Sequence, residues 1–164
     1  KLFSRPPVEH YAPCGPNLVQ LERLVIMAKE AVLNWTDGLQ FVGRASEGPA
    51  VVLDNPEGGS GPSPMELVLI GIAGCTGMDV ISILRKKRTP FTGMRIHIQG
   101  DRAENHPRRY TRIGIEFVVY GRGVKAADVE RSIQLSVTRY CGAIASVNAA
   151  VETSFRILEP ASGS

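Results

Sequence analysis

Cysteine and histidine are both scarce in this chain of 164 residues, three of each, and they form no C-x-x-C or H-x-x-x-H pair. That spacing rules out a disulfide scaffold and a structural zinc site built from local ligand pairs, so no metal and no cofactor is expected. Charge of one sign is lacking too. The net charge of +3 is spread along the chain except at Arg85-Lys86-Lys87-Arg88 and around Arg108, Arg109 and Arg112, which implies solvated basic faces and no nucleic-acid partner. No stretch reads as about 18 uncharged apolar residues, and residues 1–10 lack the apolar core of a secretory signal, so neither a membrane nor an export route is expected. The reading is a soluble, cytoplasmic protein.

What is present fits one domain: 43% of the residues are hydrophobic, enough for an ordinary core. Residues 1–28 hold Pro6, Pro7, Pro13 and Pro16 and read as an extension, with a short helix or strand at 18–26 and an incidental thiol at Cys14. Residues 29–158 form the expected domain and 159–164 a tail. Strand-like runs at 31–35, 39–45 and 50–53, the first two joined by Thr36-Asp37-Gly38, predict a three-stranded meander. Residues 54–62, rich in glycine, read as a flexible loop without internal pattern.

Ser63 opens a helix. Its hydroxyl can cap, Pro64 suits the first helical position and Glu66 completes an S-x-x-E capping box. The helix is predicted to run to Arg88, before Pro90, with basic residues over the negative end of its dipole. From Leu67 to Gly77 every face is apolar or small, the mark of a buried helix. Gly71, Gly74 and Gly77, at intervals of three, predict one side open to another backbone. Two alternating strands follow, with Met94, Ile96 and Ile98 on one inward row, Ile113, Ile115, Phe117 and Val119 on the other, and His97 on the polar face. A helix from Ala126 carries Val129, Ile133, Val137 and Cys141 as one stripe, Gly142 bends or ends it, a second piece runs to 150, and 153–158 is a final strand.

A thiol inside the apolar helix, Cys75, and a second at Cys141 suggest paired redox chemistry: a thiolate attacks a peroxide, and a second thiol condenses with the sulfenic acid to a disulfide. Two buried core thiols are the other reading. Sequence spacing does not decide between them. Cys75 lies too deep in its helix for the dipole to activate it, and an ionised Asp79 one turn away disfavours a thiolate.

The stretch S-P-M-E-L-V-L-x-x-x-x-G-C-x-x-x-D-V-x-S-I-L from Ser63 to Leu84, with R-Y-C at Arg139 to Cys141, resembles the OsmC/Ohr family of thiol-dependent peroxidases, in its OsmC-like, YhfA-type branch. The resemblance implies an α+β fold in the order βββ-α-ββ-α-α-β, built as an intertwined homodimer with central helices wrapped by sheets and an active site at the subunit interface. It implies Cys75 as the peroxide-attacking thiol, Cys141 as the resolving thiol, organic hydroperoxides as substrates, and a dithiol or lipoylated protein as reductant. The match departs from the peroxidases where they carry a glutamate and an arginine. Met65 follows Pro64, and Thr36-Asp37-Gly38 occupies the arginine's turn. That leaves Glu66 as a capping residue with a possible supporting role, and Arg44 as a candidate activator. The alternative is a non-catalytic protein that binds a hydrophobic or acyl ligand at the same interface. A third reading, RNA binding through the G-x-x-G of Gly58 to Gly61, is weak because that loop follows a strand-like run instead of joining two helices.

Overall fold

Gly38 turns the chain at the first hairpin with φ at +50°, a conformation glycine adopts without a Cβ penalty. The structure, a computed structural model, describes residues 29–45 and 48–159. The expected element at 18–26 and Cys14 lie outside the described residues. β1 (Ala31–Asp37) pairs antiparallel with β2 (Gln40–Ala45), and β2 with β3 (Val51–Leu53), which is the predicted meander. The loop that follows has internal order that the sequence did not reveal. Asp54 is buried, and its carboxylate accepts hydrogen bonds from the Asn55 N–H (2.8 Å) and the Ser60 hydroxyl (2.5 Å). A buried carboxylate needs such partners, and here they gather the loop around it.

α1 (Pro64–Lys86) begins at the expected capping box: the Glu66 N–H donates to Ser63 Oγ (3.3 Å), and the Ser63 N–H donates to the Glu66 carboxylate (2.7 Å). It ends two residues before the predicted Arg88. Arg88 takes φ +57°, while the Thr89 N–H donates to the Leu84 carbonyl (3.0 Å) and the Arg88 N–H to the Arg85 carbonyl (2.9 Å). These two bonds close a left-handed helix end that normally takes glycine, so an arginine there carries a steric cost of about 1 kcal/mol. Arg88→Gly is therefore expected to raise stability by about that amount, read as a higher denaturant midpoint at unchanged slope.

By length and composition α1 is long and apolar enough to cross a membrane, contrary to the expectation that no stretch of the sequence is. Its packing gives the composition another use. Ile72, Thr76, Gly77, Val80 and Leu84 are buried, and the helix packs on β4 (Gly93–Arg102) and α2 (Ala126–Leu135). β4 pairs antiparallel with β5 (Tyr110–Tyr120), and β5 pairs parallel with β6 (Ala150–Leu158). Ile113, Ile115, Phe117 and Val119 of β5 form the buried row predicted for that strand and meet Val129 and Ile133 of α2 with the inner side of α1. His97 is exposed on the outer face, as expected.

The glycines do not share one side. A Cβ on Gly77 would come within 2.7 Å of Ile96 Cδ1, so this glycine admits β4 of the same chain, whereas Gly71 and Gly74 face open space. Steps of three residues advance 300° on a helix, so the third glycine has turned away from the first by 120°.

The first sheet makes few contacts outside itself. Pairing places Leu33, Trp35 and Phe41 on one face, and all three are exposed. On α1, Ile70 and Met78 are 55% and 71% exposed beside the two open glycines. Two apolar faces of one α+β fold are thus left uncovered by the other described residues.

Candidate redox site

Cys75 and Asp79 lie one turn apart on α1, so both side chains project from the same flank, between the buried arc and the open stripe of Ile70, Gly74 and Met78. Cys141 reaches them from the far end of the chain. α2 does not continue through the predicted stripe. It passes into a single π turn (Ser136–Tyr140), in which the Cys141 N–H donates to the Ser136 carbonyl (2.9 Å). Cys141 then leaves the helix with φ −73° and ψ 98° and starts the short α3 (Gly142–Ala145), whose first turn it caps: the Ile144 N–H donates to Cys141 Sγ (3.4 Å). The second helical piece thus ends five residues before the expected 150, and β6 begins three residues before the expected 153.

The result is a cluster. The sulfurs of Cys75 and Cys141 and a carboxylate oxygen of Asp79 lie within 4.8 Å of one another. Both cysteines are free thiols, Cys75 half-buried and Cys141 buried at 4% exposure. A disulfide brings two sulfurs to roughly 2.05 Å, and their close approach is its first condition. Burial pushes the Cys141 thiol above its ordinary pKa, opposed by the Ile144 N–H and reinforced by the neighbouring Cys75. The Ser136 hydroxyl, itself buried, donates to Asp79 Oδ2 (2.8 Å) and ties the π turn to α1. Asp79 has no cationic partner among the described residues. Ser136 carried no signal in the sequence, because its role depends on the π turn.

The other two sequence candidates stand elsewhere in the chain. Glu66 is two and a half turns earlier on α1, about 14 Å along the axis. Its carboxylate is taken up by Ser63, whose hydrogen bonds hold it below the usual carboxylate range. Arg44 pairs opposite Val32, on the face of the first sheet turned away from Leu33, Trp35 and Phe41. It is exposed, with no hydrogen bond or ion pair among the described residues.

The region that assembles these groups, from the loop before α1 to β6, is also the region with relatives. A family model described as OsmC-like protein matches residues 57–156. The chain belongs to the OsmC-like family. Protein YhfA of Escherichia coli strain K12 is 38% identical over 112 residues, which cover 68% of this chain and 84% of that protein. Among solved structures, a hypothetical protein from Aquifex aeolicus VF5 is 31% identical with a TM-score of 0.74, over 81% of this chain and 98% of that one. The organic hydroperoxide resistance protein OhrB of Bacillus subtilis has the same fold at a TM-score of 0.57 and 14% identity, over 80% and 99% of the two chains. The OsmC-like match includes both clustered thiols and Asp79.

Proposed function

We propose that this protein is a thiol-dependent peroxidase that reduces organic hydroperoxides through Cys75 and Cys141. The observation that carries the reading is the approach of the two sulfurs to within 4.8 Å. The hydroperoxide-resistance name of OhrB, which shares the fold, supports the substrate class. Cys75 is the attacking group because it is the more accessible sulfur, and Cys141, buried and held as a thiol, is the resolving one. The Cys75 thiolate attacks the O–O bond, leaving Cys75 as a sulfenic acid and releasing the alkoxide, which is protonated to the alcohol. Cys141 then displaces the sulfenic oxygen as water and forms the disulfide, and an external dithiol of the lipoyl type reopens it by exchange. A reducing compartment such as the cytoplasm suits this cycle.

The working form is a homodimer in this reading. The uncovered apolar faces of the first sheet and of α1 support it, since a second copy of this chain offers each face an apolar cover. Cys75, flanking the open stripe of α1, then lies at the edge of the interface.

The test is consumption of cumene hydroperoxide by the reduced protein with dihydrolipoate as reductant. Sustained turnover supports the reading, and thiols that stay unreacted contradict it. Because the resolving step depends on the Cys141 thiolate and that thiol is raised above its ordinary value, disulfide formation should accelerate with pH. The expected slope is about tenfold per unit between pH 6 and 8, with no plateau in that range. Stopped-flow at fixed peroxide checks this, and a flat profile contradicts the assignment of Cys141.

A second reading, a binding protein for an acyl ligand, is favoured by a cleft of about 480 Å³ beside the start of α1. Met65, Val68 and Val147 line it with apolar surface, and Arg102, His106 and Arg108 stand around it, a lining suited to a chain with an acidic head. Lipid copurifying with a protein inert to every hydroperoxide would favour it over the peroxidase.

A further inference from the structure

We infer that Cys75, Asp79 and Cys141 form a binding site for a thiophilic divalent metal ion, zinc in the first place, when both thiols are reduced. Spacing of cysteines and histidines alone gave no reason to expect a metal. The fold supplies what that search left out: a carboxylate one helical turn from Cys75, and a second thiol brought in at the end of the π turn. The three donor atoms lie within 4.8 Å of one another. Around tetrahedral zinc, with Zn–S near 2.3 Å and Zn–O near 2.0–2.2 Å, ligand atoms sit about 3.5–3.8 Å apart. Contraction by about 1 Å, within the reach of side-chain rotation, closes the set.

The surroundings of the donors suit ligation. Asp79 is oriented through Oδ2 by the Ser136 hydroxyl (2.8 Å), which leaves Oδ1 for a metal, and the Ile144 N–H points at Cys141 Sγ (3.4 Å). Such outer hydrogen bonds fix the orientation of ligands. Two thiolates and a carboxylate carry three negative charges when ionised, and no cationic side chain pairs with Asp79 among the described residues. A divalent cation relieves that repulsion. Two sulfurs in the set select zinc or cadmium over magnesium and calcium, and three protein ligands leave a fourth position for water.

The site is shared with the peroxidase reading, but metal affinity does not depend on it. Both sulfurs are occupied in the metal-bound form, so zinc is expected to inhibit attack on a hydroperoxide. Oxidation of the bound pair releases the ion: two thiolates and ROOH take up two protons to give the disulfide, ROH, water and free Zn²⁺.

The experiment is a titration of the full chain, reduced and stripped of metal, with Co²⁺ and then Zn²⁺ in the absence of peroxide. One ion per chain is expected, with a thiolate-to-cobalt charge-transfer band that Zn²⁺ abolishes. Cys75→Ser and Cys141→Ser should lose the band, and the isosteric Asp79→Asn should weaken affinity at least about tenfold with circular dichroism unchanged. No thiolate band in the parent, or an affinity unaltered in Asp79→Asn, overturns the proposal. Cumene hydroperoxide consumption, measured separately with chelator present, reports on the peroxidase reading alone.

Discussion

Cys75→Ser is expected to stop the proposed hydroperoxide turnover, with a fall of roughly three orders of magnitude or more. A serine hydroxyl at the same place is not ionised near neutral pH and does not cleave the O–O bond, whereas the thiolate is both nucleophile and electron donor. The partner substitution behaves differently. Cys141→Ser is expected to retain one fast turnover and then stall, because among the described residues no other thiol is left to condense with the sulfenic acid at Cys75. The pair is read by following cumene hydroperoxide and trapping sulfenic acid with a dimedone probe. Loss of the first turnover in Cys141→Ser, with Cys75→Ser active, would reverse the two roles.

The combined substitution Ile70→Glu and Met78→Glu is expected to convert the proposed dimer to monomers. Both side chains are largely exposed within one chain, at 55% and 71%, so the charges leave the chain's own core undisturbed. In a dimer that covers this stripe of α1 each copy buries two carboxylates without partners. At several kcal/mol per uncompensated charge, the dissociation constant rises at least about a thousandfold. Sedimentation velocity at micromolar concentration, with circular dichroism as the control for folding, checks it. An unchanged mass would mean that the stripe is not the interface.

Much of the architecture was legible because its causes are local. The capping box at Ser63 and Glu66, the glycine turn at Gly38, and the alternation of β5 each depend on residues a few positions apart, and each is found where the sequence predicts it. What escaped depends on contacts between distant segments. Gly77 serves packing on Ile96, not the open stripe, and only the position of β4 reveals this. The order of the 54–62 loop comes from burial of Asp54, which is set by the fold. Arg88 adopts a left-handed conformation that its residue type does not advertise.

The site divides in the same way. Cys75 and Cys141 could be singled out as thiols in apolar settings, and Asp79 as a neighbour one turn on. Their meeting depends on the π turn that lets Cys141 leave the line of α2. Glu66 and Arg44 were candidates by position relative to a family pattern. Within the chain, the first is held by Ser63 and the second stands on the far face of an outer sheet. The cluster contains no cationic side chain, and this separates its electrostatics from those of an arginine-activated thiolate.

The central claim, that two thiols from separate helical segments act as one redox pair, is tested most directly by peptide mapping of the protein after one equivalent of cumene hydroperoxide. The account predicts a Cys75–Cys141 disulfide within a single chain, formed with loss of two thiols per chain. Intact thiols, or sulfenic acid at Cys75 that persists beside a free Cys141, would contradict it.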